Sequence, residues 1–248
     1  MHRLLACLLW LVSQVAMATP ILVIGVENQP YLPAFTYENG EYRGFARELF
    51  DAFGRDKGYR IEYRALPIPR LYASFFEGQI DCKFPDNPNW KSDQRQGLHI
   101  TYSEPVMASV DGVFVLPGGK ISKADDIRIL GTVSGFTPWA WQERIKAGQV
   151  TVSENPGFEA LIRQALAGRV DGAYANVAMV NYQLDQVLRK PAALVFRVDL
   201  PNSRNDYHLS SLRHPEVVRE FNQWLKQNRA AVTALKKKHG VEKGVVND

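Results

Sequence analysis

The chain has 248 residues, of which 46% are hydrophobic and 23% are charged, and this ordinary globular composition argues against a disordered or fibrous protein. Its formal net charge is +4, and the basic residues are scattered apart from the short run KKKH at 236–239. We therefore expect no nucleic-acid partner.

The first 18 residues predict a cleavable export signal. A single arginine precedes the apolar run LLACLLWLV, and Ala16, Met17 and Ala18 then form a small-x-small pattern typical of cleavage before Thr19. Nine apolar residues are too few to cross a bilayer, which needs about 20. Cys7 lies within this signal, so Cys82 is left without a disulfide partner and is expected to be a small buried side chain.

The first half of the chain alternates strand and helix patterns. ILVIGV at 21–26 is typical of a buried strand, and RIEYRAL at 60–66 predicts a second one. Between them, Phe45, Leu49 and Phe53 have helical spacing, and Gly58 marks the end of that helix. RLYASFFEGQID at 70–81 returns to a helical pattern, followed by a strand near 81–84. This order predicts a parallel sheet with helices on its faces.

The alternation pauses at Pro117, Gly118 and Gly119, which follow the predicted strand VDGVFVL and give the best domain boundary. Strand and helix patterns then resume to about residue 198, and amphipathic helices follow His214. We predict an α/β fold of two lobes. Lobe 1 covers 19–116, lobe 2 covers 117–199, and 200–248 returns to lobe 1 with C-terminal helices. Ligands bind such sheets beyond the carboxyl ends of the strands, so we expect a ligand cleft between lobes that close about a hinge.

Five segments in order resemble the periplasmic solute-binding proteins of the polar amino acid uptake type, family 3 of the extracellular solute-binding proteins. The opening ILVIGVENQPYLPAFTYENGEYRGFARELFDAF is similar to the family's first strand, Tyr-x-Pro turn and Gly-Phe helix start. GQIDCKF, ITYSEPVMASVDGVFVL, ALAGRVDGAYAN and the terminal HPEVVREFNQWL with LKKKHG resemble later family elements. The resemblance covers about 220 residues. It implies the type 2 periplasmic fold and a role in capturing a small solute.

The resemblance gives the irregular segment DCKFPDNPNWKSDQRQG at 81–97 a role in the cleft wall. In the family this segment reads roughly Ser-x-Thr-x-x-Arg, and its arginine binds the ligand's α-carboxylate. SDQR places Arg95 at that position and Ser92 at the position of the threonine. A planar guanidinium matches two carboxylate oxygens at once, which suits it to this task. The alternative is a surface loop with a solvated arginine.

Two positions depart from the family pattern. Trp90 stands where the family often has a small hydroxyl residue, so it would narrow the pocket or favour a flat ligand. Asn176 stands where the second lobe commonly carries an aspartate for the ligand's amino group, and a buried ammonium without a counter-ion is costly. Glu27, Asp86 or Glu104 could supply the missing charge.

Four further residues are candidates for ligand contacts. Tyr31 matches the family's aromatic residue near the ligand, although it could instead pack on the turn at Pro33. Arg70 starts a predicted helix near the cleft, although it could be a helix-surface arginine. Ser134 and Thr137 lie in the turn GTVSGFTPW, where backbone N–H groups at a helix start can seat an anion.

The sequence contains no motif for a nucleophile, a metal or a nucleotide cofactor. We therefore expect no catalytic residue, no metal and no cofactor. The expected protein is a monomer in the periplasm that binds a small polar solute, an amino acid or related carboxylate, and delivers it to the permease of an ABC transporter. The alternatives are a dehydratase or lyase on the same fold, and a ligand-sensing module for a membrane receptor.

Overall fold

The structure, a computed structural model, describes residues 19–245, and the export signal predicted over 1–18 lies outside these residues. Within this range the strands are β1 (Ile21–Glu27), β2 (Thr36–Glu38), β3 (Glu41–Arg43), β4 (Arg60–Leu66), β5 (Cys82–Asp86), β6 (Thr101–Tyr102), β7 (Met107–Val115), β8 (Ile129–Val133), β9 (Thr151–Asn155), β10 (Gly172–Asn176), β11 (Val195–Phe196) and β12 (Ser203–Ser211). The α-helices are α1 (Phe45–Lys57), α2 (Ile68–Phe76), α3 (Gln142–Lys146), α4 (Phe158–Leu166), α5 (Val177–Tyr182), α6 (Pro215–Gln227) and α7 (Arg229–His239).

The main sheet of the described residues has the strand order β4-β1-β5-β12-β7-β10-β8-β9, with β6 beside β12 and β11 beside β7. Strand β1 is parallel to β4 and β5, and β8 is parallel to β9 and β10. In each of these three-stranded parallel units, the strand that comes first in the chain lies between the other two. The two parallel units predicted from the strand and helix alternation are both present, and the antiparallel pair β7 and β12 joins them.

Strand β12 is missing from the sequence prediction, because SRNDYHLSS has too few apolar residues to read as a strand. It pairs with β5 on one side and β7 on the other, and so connects the two parallel units. Strand β7 also pairs with β10 and β11. The strand expected to close lobe 1 thus shares hydrogen bonds with later strands, and the lobe boundaries at 116 and 199 stay a prediction.

The helices pack apolar side chains onto the sheet at the spacing that the sequence shows. In α1, Phe45, Leu49 and Phe53 are buried, and the helix ends at Gly58, whose φ of +75° favours glycine. In α6, the ring of Phe221 lies 5.1 Å from that of Phe53. Truncating such a buried ring costs about 3–5 kcal/mol, so this packing fixes the strands whose ends form the site.

The segment after β8 forms less helix than its pattern suggests. A 3₁₀ turn at Trp139–Trp141 leads into the five-residue helix α3. Elsewhere Cys82 is fully buried in β5, as expected. No helix within residues 19–245 combines the length and apolar character that crossing a membrane requires.

Candidate functional site

A cavity of about 290 Å³ lies at the carboxyl ends of the parallel strands β1, β5 and β8. This position follows the general rule for open α/β sheets, and the volume is near the lower limit for small-molecule sites, roughly 300 Å³. The part of the chain before β6 contributes Glu27, Gln29, Tyr31, Ile68, Tyr72, Pro85 and residues 90–94. The later part contributes Asp111, Gly135, Phe136, Thr137, Trp139 and Tyr207.

Aromatic side chains form much of the cavity wall. The hydroxyl oxygens of Tyr31 and Tyr207 lie 3.0 Å apart, within hydrogen-bonding distance. The ring of Trp90 meets that of Tyr207 edge to face, with 5.5 Å between centroids. Tyr31 also contacts Phe158, the first residue of α4, at 5.3 Å. These contacts join elements from both parallel units and give the cavity a wall suited to apolar or cationic groups.

Glu27, at the end of β1, contributes one buried carboxyl group to the cavity. Its side chain accepts a hydrogen bond from Nε2 of Gln29 at 2.5 Å. Burial raises the pKa of Glu27 above its ordinary value, and the nearby Lys83 ammonium opposes that rise. The negative charge of Glu27 is therefore partly balanced from within the protein.

Asp111, in the middle of β7, contributes a second carboxyl group and is only 8% exposed. Burial raises its pKa to about 7, and the hydrogen bond from Asn176 opposes this rise. Among residues 19–245, no Lys, Arg or His nitrogen lies within 4.0 Å of its carboxylate. Asp111 thus lines the cavity as a buried acid whose charge has no close cation within the described chain.

Asn176 stands directly opposite Asp111 in the antiparallel register of β7 and β10. Its Nδ2 donates to Oγ of Ser109 at 2.9 Å and, with a long contact of 3.4 Å, to Oδ1 of Asp111. Its Oδ1 accepts the backbone N–H of Met179 and caps α5. Asn176 does not line the cavity. The carboxylate that the family pattern leads one to expect at position 176 is therefore absent there, but Asp111 supplies one on the neighbouring strand β7.

Three charged residues form a buried charge cluster behind the lining rings of Tyr72 and Trp90: Lys83, Asp86 and Arg95. The Asp86 carboxylate accepts hydrogen bonds from Nη2 of Arg95 at 2.7 Å and from Nη1 at 3.2 Å. It also accepts from Nζ of Lys83 at 3.2 Å and from the Ser210 hydroxyl at 2.5 Å. Burial alone would raise the pKa of Asp86, but the charges of Lys83 and Arg95 hold it below its ordinary value.

Arg95 is not among the residues that line the cavity. Its Nε donates to the carbonyl oxygen of Trp90 at 2.5 Å, and Nη1 also donates to the hydroxyl of Tyr102 at 2.6 Å. The 3₁₀ turn Ser92–Arg95 explains this placement, because it leaves residues 92–94 on the cavity and Arg95 on the side of Asp86. The carboxylate-binding role that the resemblance implies for Arg95 stays a prediction.

The structure brings four of the other predicted residues to the cavity: Tyr31, Trp90, Ser92 and Thr137. Ser134 is exposed beside the cavity but does not line it, and its backbone N–H donates to the carbonyl oxygen of Asn155. The N–H of Phe136 likewise donates to Val133. Arg70 is exposed on α2 and is not a lining residue. In the turn at 134–137, where the sequence predicts an anion seat, the backbone amides of Ser134 and Phe136 are therefore already used within the protein.

Sequence reasoning missed Asp111, Tyr72, Phe136 and Tyr207. Asp111 carried a signal, since it is the charged residue within the otherwise uncharged strand MASVDGVFV. Tyr207 lies on β12, the strand that was not predicted. The rings of Tyr72 and Phe136 have no local signal that separates cavity walls from core.

The described residues contain no group of three or more His, Cys, Asp or Glu side chains that could hold a metal ion. Cys82 is buried, and burial raises the pKa of its thiol well above the ordinary value. A thiol in this environment is a poor nucleophile.

The model of the bacterial extracellular solute-binding proteins, family 3, matches residues 22–242. The chain belongs to this family. The predicted family is thereby confirmed over nearly the whole described range. A probable histidine-binding protein of Neisseria gonorrhoeae is 22% identical over 179 residues, which are 70% of this chain and 64% of that protein. The chain thus spans less than two thirds of that relative.

Solved structures of amino-acid-binding proteins share the fold of this solute-binding protein. An ancestral arginine-binding protein bound to arginine has a TM-score of 0.70 at 18% identity, with 88% of this chain and 97% of that chain covered. The arginine-, lysine-, histidine-binding protein of Geobacillus stearothermophilus has a TM-score of 0.69 at 18% identity, with 88% and 94% covered. An ancestral amino acid-binding protein, a precursor of cyclohexadienyl dehydratase, has a TM-score of 0.70 at 18% identity, with 88% and 95% covered. These likenesses confirm the predicted fold of type 2 periplasmic binding proteins.

Proposed function

We propose that this solute-binding protein captures a small, positively charged solute in the cavity at the ends of β1, β5 and β8. The observation that carries the proposal is Asp111, a buried carboxyl group on the cavity wall without a close cation among the described residues. A buried carboxylate is costly unless it is paired, so a cationic ligand would gain a counter-ion and relieve that cost. Glu27 adds a second carboxyl group on the same wall.

The size and lining of the cavity support binding of a compact ligand with an apolar or flat part. Tyr31, Trp90 and Tyr207 give contact area around the acid, and Ser92 and Thr137 offer hydroxyl groups for orientation. The relatives that are named for binding arginine, lysine or histidine also support a ligand that carries a cationic nitrogen.

Isothermal titration calorimetry against cationic, neutral and acidic solutes of similar size tests the proposal. Cationic solutes should bind best, and Asp111→Asn should weaken them by about tenfold or more, because the substitution removes the counter-ion. Asp206→Asn is the matched control: Asp206 precedes Tyr207 on β12, where alternate side chains face opposite sides of the sheet, and it does not line the cavity. Exclusive binding of acidic solutes, unaffected by Asp111→Asn, would contradict the proposal.

The expected setting is the periplasm, after cleavage before Thr19, with delivery of the solute to the permease of an ABC transporter by a monomeric binding protein. Mass spectrometry of the exported protein checks the cleavage site. Light scattering checks the monomer, and ligand-dependent stimulation of a reconstituted permease checks the partner. Pull-down of a membrane receptor by the ligand-bound protein would favour the sensing role instead.

We propose that the solute leaves unchanged. The competing function is a lyase or dehydratase, favoured by the raised pKa of Asp111, which suits a general acid or base near neutral pH. Incubation of each bound compound with stoichiometric protein, followed by mass spectrometry, separates the two. Product that accumulates with wild type and not with Asp111→Asn would establish catalysis.

A further inference from the structure

We propose that the solute is an amine whose charged nitrogen is not accompanied by a free carboxylate. This inference rests on the proposed function and narrows it, because an amino acid brings a carboxylate as well as an ammonium group. It requires that the cavity can hold a cation and that, among the described residues, the buried cations nearby are not available to pair with a ligand carboxylate.

The first argument is the occupied state of Arg95. A guanidinium has five N–H donors, and four of those in Arg95 are used by Asp86, Tyr102 and the carbonyl oxygen of Trp90. A two-point grip on a ligand carboxylate would have to displace Asp86. That displacement would break a paired, nearly unexposed contact, and Arg95 does not line the cavity.

The second argument is the state of the lysines nearest the cavity. Lys83 is fully buried, donates to Asp86 and to the carbonyl oxygen of Pro85, and sits 4.4 Å from the ring centroid of Tyr72. It lies behind the aromatic wall, and it is not a lining residue. Among the described lining residues the basic one is Lys91, whose side chain is exposed to solvent. The acid Asp93 also lines the cavity, two residues further along the chain.

The third argument is the charge balance of the buried groups. Within residues 19–245, three buried carboxyl groups, those of Glu27, Asp86 and Asp111, stand against two buried cations. The cations, Lys83 and Arg95, both contact Asp86. One negative charge is therefore not balanced, and it lies on the two carboxyl groups that line the cavity, those of Glu27 and Asp111. A cationic amine neutralises it, whereas a ligand carboxylate would restore it and face like charge.

The fourth argument is the wall around Asp111. The Tyr31 and Tyr207 hydroxyl groups already contact each other, and both rings line the cavity with Asp111. Trp90 packs edge to face on Tyr207. The faces of aromatic rings around a buried acid attract alkylammonium and guanidinium groups, whereas their negative charge density disfavours a carboxylate.

Matched pairs that differ by a carboxylate test the inference: arginine and agmatine, lysine and cadaverine, histidine and histamine, tyrosine and tyramine. In calorimetric titrations of the full mature chain at pH 8, the amine with the highest affinity should bind with an affinity about tenfold or more above that of its parent amino acid. The corresponding amino acid amides, which keep the size of the parent but lose the carboxylate charge, should bind like the amines.

Each outcome decides the question. An amino acid that binds as tightly as its amine overturns the inference but leaves a cation-binding site intact if Asp111→Asn still weakens it. Amides that bind as weakly as the amino acids would show that size, and not carboxylate charge, sets the preference, and would also overturn it. Failure of every amine at millimolar concentration, with acidic or neutral solutes bound instead, would overturn both the inference and the proposed function.

Discussion

Replacing Asp111 by Asn should make the folded protein more stable at neutral and alkaline pH, even though it removes the proposed anchor for the ligand. The pKa of Asp111 rises from an ordinary 3.8 to about 7 on folding. The folded protein therefore holds more protons than the unfolded chain between about pH 4 and pH 7, and its stability falls as pH rises through this window. The penalty is absent at pH 4 and nearly complete at pH 8.

The size of the effect follows from the shift of about three pKa units. At about 1.4 kcal/mol per unit, ionising Asp111 costs the folded state ~4 kcal/mol at pH 8. Asparagine avoids that cost and keeps an oxygen that can accept the hydrogen bond from Asn176. For a chain of this size, each kcal/mol moves Tm by roughly 2–4 °C. Asp111→Asn should therefore raise Tm by about 8–16 °C at pH 8 as an upper limit.

Differential scanning calorimetry of both proteins, without ligand, at pH 4, 6 and 8 measures this difference. The gap in Tm should widen with pH. Tyr31, Tyr174 and Tyr207 neighbour Asp111, but the pKa of each is raised, so they stay neutral in this range. A gap of the same size at pH 4 and pH 8, or none at pH 8, would refute the assignment of a costly buried charge to Asp111.

Three further predictions concern the same region. Arg95→Met should lower the free energy of unfolding by about 3–5 kcal/mol, because it leaves Asp86 buried with one of its two charge partners. Arg70→Met on the surface of α2 is the control and should change it little in urea titrations. Unchanged stability together with lost ligand affinity would instead make Arg95 a ligand residue. The affinity for agmatine should rise about tenfold per pH unit below the pKa of Asp111 and level off above about pH 7. A calorimetric affinity that stays constant from pH 5.5 to 8 would argue that Asp111 does not pair with the cation. Cys82 should react with iodoacetamide only after unfolding in urea, since burial raises the pKa of its thiol; rapid labelling of the native protein would contradict its place in the core.

The sequence was sufficient to predict the parallel units, because their apolar runs and helical stripes are local signals. RIEYRAL matches β4 residue for residue, and the stripe of α6 is buried as expected. Strand β12 escaped prediction because its partners, β5 and β7, cover a polar sequence that carries no alternation of its own. Its existence depends on pairing across more than 90 residues of chain, which a local pattern does not record.

The site was harder to predict for a related reason. Residues 92–94 reach the cavity and Arg95 does not, and that distinction depends on one 3₁₀ turn and on Asp86, nine residues earlier. Asp111 stood out as the charged residue of its strand, but its place opposite Asn176 depends on a register that links residues 65 positions apart. The family resemblance pointed to four residues that line the cavity, Tyr31, Trp90, Ser92 and Thr137, but not to Asp111.

The acid that we propose as the anchor stands on a strand, while most of the surrounding wall comes from connecting segments. Asp111 is held by hydrogen bonding on both sides, to β10 and to β12. Residues 90–94 and 135–139, by contrast, belong to loops and short turns. A designer who wishes to retune this protein as an optical biosensor could therefore diversify those loops to recognise different tails, while the backbone that presents the charge remains fixed.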